Sequence, residues 1–365
     1  MDKIIQVEPI IDSLELEELK KIISSRYVTE HDLTSEFEEI TSKYTKSKHA
    51  ISICNGTCAI FCALKALNLK KNDEVILPNI TFISTATAVL LAGAKVRLID
   101  IDPNTCCMDT TKIEAAINSN TKVIMPVHLY GISCQMDEIS KIAKKHNLKI
   151  VEDAAQGVGV FYKNTHVGNF GNFGILSYYG NKTITTGEGG IVLCKNDSEK
   201  DTIYRLKNHG RIKKGTFIHE TLGWNFSFTE MQAAIGIAQM KKLNSIIDKK
   251  LKIFEKYKFS LNNNLLRMRV IPEETTSAVH WLSNIHCDDA DKLSNYLKRY
   301  NIPSRRIFYP LCKQPCLQNN EDVLKSDNSY ENSDIAFKTI LSLPSSVYLN
   351  NEQLDYILEK LNNYS

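Results

Sequence analysis

The stretch from residue 74 to residue 155 contains four short apolar segments: EVILPNI (74–80), KVRLIDID (95–102), TKVIMPVHLY (121–130) and LKIVEDAA (148–155). Each segment is rich in β-branched residues and almost continuously apolar, as the strands of a parallel sheet covered on both faces are. Helical patterns at 57–68, 83–92 and 136–146 lie before and between them. This alternation predicts an α/β fold with a mostly parallel sheet between helices.

The pattern changes near residue 230. One long helical pattern covers 229–260, and it is followed by strand patterns at 268–271 and 281–286 and helical patterns at 289–299 and 351–362. We therefore expect a large α/β domain over residues 1–245 and a smaller α+β domain over residues 246–365. A further helical pattern at 13–25 can pack against either domain.

Length and charge narrow the class of protein. The chain has 365 residues, with 45 basic and 42 acidic side chains and a net charge of +3. This near-balance argues against a protein that binds nucleic acid or a membrane surface.

The first residues, MDKIIQVEPI, do not resemble a signal peptide, and no run of about eighteen apolar residues is present to span a membrane. We expect a cytoplasmic enzyme that acts on small molecules.

The chain has ten cysteines, most of them in apolar segments. Cys54, Cys58 and Cys62 recur at a helical spacing, but no CxxC motif or histidine pair accompanies them. The sequence therefore favours buried free thiols over a zinc site, and we expect no metal.

The segment SYYGNKTITTGEGG (177–190) places Lys182 among hydroxyl side chains and glycines. A lysine that attacks a carbonyl must lose its proton near neutral pH, which requires burial or a nearby cation. Glycines allow the backbone to approach a ligand closely. An ordinary solvated lysine in a loop has the same local sequence, so this segment alone leaves both interpretations open.

A second segment adds acidic chemistry. LKIVEDAAQ (148–156) places Asp153 and Gln156 at the carboxyl end of a predicted strand, where α/β proteins bind ligands. An aspartate at this place can keep a pyridine nitrogen protonated, although Asp153 could also be a plain helix cap. His128 ends the preceding apolar segment, and we expect it to be structural.

A third segment suggests a phosphate site. Gly56 and Thr57 open a predicted helix, whose free amides and dipole attract anions, and Ser177 offers another hydroxyl. A simple helix cap is again the alternative. The phosphate site, the aspartate and the lysine occur in that order, each near a junction of strand and helix, and together they predict a site for pyridoxal 5′-phosphate (PLP).

With these motifs in order, the chain resembles the DegT/DnrJ/EryC1/StrS aminotransferases. The likeness is carried by ICNGTCAIFCALKAL, DEVILPNITFISTATAV, PVHLYGISCQMD, VEDAAQGVG, FGILSYYGNKTITTGEGGIV, LGWNFSFTEMQAAIGIAQ and RRIFYPLCKQP, so it extends over almost the whole chain. GNKTITTGEGG is the most diagnostic of them. The resemblance implies the fold-type I architecture, like that of aspartate aminotransferase, with a large PLP-binding domain and a small C-terminal domain.

The resemblance also implies residue roles. Lys182 would hold PLP through a Schiff base and move protons, and Asp153 would pair with the pyridinium nitrogen. The other implied contacts are Gly56, Thr57 and Ser177 at the phosphate, Gln156 at the ring hydroxyl, Phe82 over the ring face and Asn225 at the phosphate of the other subunit's cofactor. This last contact implies a homodimer with shared active sites.

Two positions depart from the family pattern. Ser227 replaces a basic residue, usually arginine, and Cys312 replaces a histidine, both in segments that face the substrate in relatives. Losing an arginine removes donors suited to phosphate, although the neighbouring Arg305 or Arg306 could replace it. We therefore expect Arg305, Tyr309, Ser227 and Cys312 to be the residues that determine the acceptor.

The predicted reaction moves an amino group from L-glutamate to a keto-sugar, converting PLP to pyridoxamine 5′-phosphate during turnover. The favoured acceptor is a nucleotide-linked 4-keto-6-deoxy sugar of polysaccharide or capsule biosynthesis. The same reaction on a small phosphorylated ketone, such as dihydroxyacetone phosphate, is an alternative motivated by Ser227 and Cys312. A non-catalytic PLP-binding regulator is a second alternative, against which the intact Lys182 and Asp153 argue.

Overall fold

The computed structural model describes residues 3–212, 215–326 and 329–365. Its α-helices are α1 (Ser13–Ser25), α2 (Asp32–Thr45), α3 (Gly56–Ala66), α4 (Ser84–Ala92), α5 (Thr110–Ala116), α6 (Met136–Lys145), α7 (Asp197–Lys207), α8 (Glu230–Ser260), α9 (Ala290–Arg299), α10 (Pro315–Gln318), α11 (Glu331–Thr339) and α12 (Asn351–Asn362). Its β-strands are β1 (His49–Ile53), β2 (Glu74–Pro78), β3 (Lys95–Ile99), β4 (Thr121–Ile124), β5 (Lys149–Asp153), β6 (Phe161–Tyr162), β7 (Thr165–His166), β8 (Phe173–Ser177), β9 (Gly190–Cys194), β10 (Arg267–Met268), β11 (Thr275–Ser277), β12 (Ser283–His286), β13 (Arg305–Arg306), β14 (Val323–Lys325) and β15 (Ile340–Leu343).

The main sheet has eight strands in the order β1-β9-β8-β5-β4-β2-β3-β14. β9 is antiparallel to both of its neighbours, and the other pairings in the sheet are parallel. Apolar side chains of β2, β4, β5 and β8 are buried from both faces, as their sequences predict. The predicted α/β class is therefore confirmed.

Two of the predicted strands are shorter than expected. β3 ends at Ile99 and β4 at Ile124, whereas the apolar patterns continue to residues 102 and 130. The residues that follow, such as Met125 and Val127, stay buried beneath loops at the carboxyl edge of the sheet. Backbone pairing there is reduced to isolated bridges, between Val127 and Asp153 and between Ile101 and Met108, so these residues are buried without forming continuous strands.

The N-terminal helices pack on α8. The helix α1 has the predicted bounds, whereas α2 was not predicted. A Cβ added at Gly236 of α8 would lie 2.6 Å from the Phe37 ring of α2, so the two helices approach closely at this glycine.

A second, four-stranded sheet has the order β10-β12-β15-β13, and its pairings are antiparallel. Its core includes Ile285, Leu341 and Leu343, together with Leu293 of α9 and Ile357 of α12. The helix α8 runs unbroken past the predicted boundary at residue 245: its first half packs in the main core and its second half in this smaller core. The division at residue 245 stays a prediction.

The described residues contain no helix long and apolar enough to cross a membrane. All ten cysteines are free thiols, and seven of them are buried. In the same described ranges, no group of three or more metal-ligating side chains comes together.

Candidate active site

The carboxyl ends of β1, β5 and β8, together with the first residue of the antiparallel β9, bring the predicted PLP residues together. Asp153 is the last residue of β5, and Ser177 is the last residue of the adjacent β8. Gly190 of β9 pairs with Ser177 on one side and with Ile53 of β1 on the other. Since β1 leads directly to the helix that begins at Gly56, all these segments end at one edge of the sheet.

Lys182 lies in the loop that connects β8 and β9. Its accessible surface is intermediate, but its amine is surrounded by protein atoms, and this burial lowers its pKa to about 8. The carboxylate of Asp153 acts in the opposite direction, because its negative charge favours the ammonium form. A substantial fraction of neutral amine is therefore present near physiological pH, as a lysine that attacks carbonyls requires.

Backbone and hydroxyl hydrogen bonds fix this loop. The amide of Lys182 donates to the carbonyl of Tyr179 over 2.9 Å, and that of Thr186 donates to Tyr178 over 2.9 Å. The hydroxyl of the buried Thr185 also donates to the Tyr178 carbonyl. The threonines of the motif are thus part of the scaffold that holds Lys182.

Asp153 is buried, and its carboxylate is oriented by hydrogen bonds. Thr85 of α4 donates its hydroxyl to Oδ2 over 2.7 Å, and the amide of Ala155 donates to Oδ1 over 3.1 Å. The Thr85 hydroxyl also lies 2.8 Å from that of Thr81. The sequence analysis missed Thr85, and its only local signal is the four-residue spacing of the two threonines.

The start of α3 and the end of β8 form a close cradle. A Cβ added at Gly56 would lie 3.2 Å from Cβ and 3.3 Å from Oγ of Ser177, so the glycine keeps this space open. Asn55 caps α3 by accepting from the amide of Cys58 over 2.9 Å. The first amides of a helix have no intrahelical acceptor and can donate to a phosphate, so this cradle fits the phosphate of PLP.

The remaining predicted cofactor residues lie around the same edge. Gln156 is buried and accepts from the amide of Tyr130 through Oε1 at 2.7 Å. The Phe82 ring is exposed, and its centroid lies 5.7 Å from that of Phe308. Asn225 is exposed, and the carbonyl of the next residue, Phe226, accepts from the amide of Cys54 beside the cradle. The donor set therefore fits PLP, while the individual contacts stay predictions.

The predicted substrate residues differ in accessibility. Arg305 and Tyr309 are exposed, and Ser227 is half-buried. Arg306 is held by Asp291 and by the carbonyl of Phe337. Cys312 is buried in the core, and burial raises the pKa of its thiol.

His128 and Glu152 form a fully buried pair beneath this edge. His128 Nε2 lies 3.1 Å from Glu152, while its Nδ1 accepts from the amide of Cys134. Burial tends to raise the pKa of the Glu152 carboxyl, but hydrogen bonds from His128 and from the amides of Gly171 and Gly168 hold it below its ordinary value. These contacts agree with a structural role for His128.

Comparisons with known proteins agree with this geometry. Residues 9–362 match the model of the DegT/DnrJ/EryC1/StrS aminotransferase family. The chain is 32% identical over 363 residues to the GDP-perosamine synthase of Escherichia coli O157:H7. The aligned region covers 98% of this chain and 97% of the relative. It is 35% identical over 288 residues to that of Caulobacter vibrioides, with 77% of each chain covered. A solved Streptococcus pneumoniae structure in its PMP form, described as a sugar aminotransferase, is similar with a TM-score of 0.93 and 25% identity over 99% of this chain and 97% of that one.

Proposed function

We propose that this chain, which belongs to the DegT/DnrJ/EryC1/StrS aminotransferase family and is a PLP-dependent aminotransferase, moves an amino group from L-glutamate to a nucleotide-linked 4-keto-6-deoxy sugar. The observation that carries the proposal is the meeting of Lys182, Asp153 and the Gly56–Ser177 cradle at one edge of the sheet. The names of the relatives, GDP-perosamine synthases among them, support the sugar acceptor. A Bacillus subtilis relative named as a spore coat polysaccharide biosynthesis protein supports a place in polysaccharide synthesis.

Each group has a defined task in this proposal. When bound, PLP supplies an electrophilic carbonyl carbon and a ring that accepts electron density. Gly56, Thr57 and Ser177 hold its phosphate, and the Asp153 carboxylate keeps the ring nitrogen protonated. The Lys182 amine takes the proton from the α-carbon of the donor and delivers a proton to the acceptor carbon in the second half of the reaction.

The burial of Lys182 supports this proton transfer. An amine with a pKa of about 8 is poised to accept and release a proton near neutral pH, whereas a solvated lysine holds its proton too tightly. Thr85 and Ala155 orient the Asp153 carboxylate through hydrogen bonds to its two oxygens, so the charge that would face the ring nitrogen is held by the fold.

The acceptor side favours a phosphorylated sugar with an extended anionic group. Since Arg306 is engaged by Asp291 and Phe337, the exposed Arg305 is the neighbouring cation that can meet a nucleotide diphosphate. The Cys312 side chain is buried, so its difference from relatives gives little support to a changed pocket. Ser227 therefore remains the main reason to consider a small phosphorylated ketone as the alternative acceptor.

The homodimer is part of the same proposal. Asn225 is exposed in the chain, and Phe217, Ile218 and Leu222 nearby in sequence expose large apolar side chains. Exposed apolar side chains grouped in this way are typical of an interface. We propose that this segment contacts a second copy and brings Asn225 to the phosphate of the partner's cofactor.

The test uses purified full-length protein loaded with PLP and follows 2-oxoglutarate release and the absorbance of the bound cofactor. L-glutamate should convert the cofactor to its amine form, and one ketone from a panel should restore it. The panel contains GDP-, dTDP- and UDP-linked 4-keto-6-deoxy sugars and dihydroxyacetone phosphate, with Lys182→Ala as the inactive control. Restoration by a nucleotide sugar supports the proposal, whereas restoration only by dihydroxyacetone phosphate, or no response to L-glutamate, contradicts it.

A further inference from the structure

Trp281, which precedes β12, lies against the catalytic lysine. Its indole Nε1–H donates to the carbonyl of Asn181 over 2.5 Å, and the Lys182 amine lies 4.6 Å from its ring centroid. The side chain is itself buried. One indole therefore contacts both the backbone that carries Lys182 and the amine of Lys182.

The position of Trp281 is fixed by the residues around it. The Tyr130 ring stacks beside it, with the centroids 6.1 Å apart and the planes at 14°. The Trp281 carbonyl accepts from the amine of Lys250 over 3.3 Å, and the same amine donates to the Ser345 carbonyl over 3.1 Å. Lys250 is buried on α8, so breaking these bonds would leave an unsatisfied amine in the core.

We propose that Trp281 is a positioning residue for Lys182: its ring keeps water away from the amine, and its N–H fixes the backbone at Asn181. The inference rests on the proposed function only in taking Lys182 as the group that moves protons. Trp281 thereby links the strands of the second sheet to the chemistry at the edge of the main sheet.

Two opposing contributions determine how the Trp281 ring changes the pKa of the Lys182 amine. The face of an aromatic ring attracts a cation and thus favours the charged amine. Burial favours the neutral amine, and burial dominates because the pKa of Lys182 is lowered to about 8 although the carboxylate of Asp153 attracts its charge. Removing the ring admits water, so the pKa of Lys182 should rise.

The first measurement is competitive labelling of lysine amines across pH, read by mass spectrometry on the full chain without added cofactor. In Trp281→Leu the labelling pKa of Lys182 should rise by about one unit or more, while Trp281→Phe, which keeps a ring, should stay close to the unchanged protein. Lys250 serves as an internal control, because it contacts the backbone of Trp281 and should keep its own profile.

The second measurement separates positioning from binding. In the PLP-loaded enzyme, Trp281→Leu should lower kcat by about tenfold to a hundredfold with little change in KM, since misplacement of a reacting group slows the chemical step. Trp281→Phe keeps an aromatic ring but loses the hydrogen bond to Asn181 and part of the ring, and it should show a smaller fall in kcat.

The outcomes distinguish the inference from the proposed function, because labelling needs neither donor nor acceptor. A raised pKa in Trp281→Leu supports the role of Trp281 even if no keto-sugar is aminated. An unchanged Lys182 pKa in Trp281→Leu, or a kcat for Trp281→Phe equal to that of the unchanged enzyme, overturns the inference even if the sugar is turned over. If Trp281→Leu also alters the Lys250 profile, the kcat of Trp281→Phe decides.

Discussion

Gly56 shows how a single missing side chain shapes the site. A Cβ added at Gly56 would lie 3.2 Å from Cβ of Ser177, closer than an ordinary van der Waals contact. Ser177 is buried at the end of a strand, so it has little freedom to move away. The space that remains is the cradle that we propose holds the phosphate of PLP. Gly180 is a matched control in the neighbouring loop, where an added Cβ would meet only an oxygen at 3.7 Å.

We therefore expect Gly56→Ala to weaken PLP binding by about tenfold to a hundredfold, the usual effect of overpacking by one methyl group. Gly180→Ala should bind PLP nearly as the unchanged protein does. Equilibrium titration of the cofactor by its absorbance measures both. Equal loss of affinity in the two variants would show that the loop, rather than the cradle, responds to added bulk.

At the scale of elements, Glu230 joins the starts of two helices. Its carboxylate at the first position of α8 accepts from the amides of His31, Leu33 and Thr34 and from the Thr34 hydroxyl at distances of 2.6 to 2.9 Å. Burial tends to raise the pKa of this carboxyl, but these hydrogen bonds hold it below the ordinary value of 4.5. A single ionised side chain thus fixes the start of α2, in addition to the packing of Phe37 in the core.

Replacing Glu230 with alanine should reduce the free energy of unfolding by about 2–4 kcal/mol, because several buried donors lose a charged acceptor. Glu255→Ala, at an exposed position on the same helix, should change it by less than about 0.5 kcal/mol. Since the folded pKa is depressed, the contribution of Glu230 is present above pH 4.5 and is lost as pH falls through the folded value. Denaturant unfolding at several pH values measures the free energy of unfolding of each variant. If Glu230→Ala remained less stable than Glu255→Ala at low pH, the assigned role of the Glu230 charge would be contradicted.

The sequence predicted those elements whose burial depends on apolar side chains. β2 and β5 are continuous apolar runs, and Asp153 was singled out because it ends such a strand. Ser177 was singled out only as a hydroxyl near Lys182, and the structure places it at the end of β8. The helix α2 was missed because it buries Thr34, Thr41 and Thr45, which an apolar pattern does not register. β14 escaped notice because it has three residues and stays partly exposed.

The same limit applies to the site. Lys182 was singled out through the other two segments and the family resemblance, because its own segment also fits an ordinary solvated lysine. Thr85 and Trp281 contact Asp153 and Asn181 from elsewhere in the chain, and even the spacing of Thr81 and Thr85 does not show which residue Thr85 contacts. These residues became visible only when the fold placed them beside the loop and the strand end.

At the scale of the whole molecule, the proposed dimer makes each site depend on two chains. Phe217 and Leu222 each expose 86% of their surface, which an interface with a second copy would cover. If Asn225 acts at the partner's site, neither Lys182→Ala nor Asn225→Ala chains alone form a complete site. A mixed dimer would form one, from the lysine of the second variant and the asparagine of the first.

We expect co-refolded Lys182→Ala and Asn225→Ala chains to recover activity. Each mixed dimer has one complete site, so its activity should reach up to about half of that of an unchanged dimer. The measurement is turnover of the mixture, with each variant alone as control and sedimentation to confirm the dimer. If Asn225 served its own chain, the mixture would stay no more active than its parts.

The most direct test of the whole account locates the amine that carries the cofactor. Borohydride reduction of the PLP-loaded protein fixes the cofactor to that amine, and mass spectrometry of the digested chain identifies the residue. We predict that Lys182 carries the label and that Lys182→Ala loses it, while Lys250, another lysine whose burial lowers its pKa to about 8, stays unlabelled. Label on Lys250 or another lysine, or no label on the unchanged protein, would contradict the assignment of the active site to the edge formed by β5, β8 and α3.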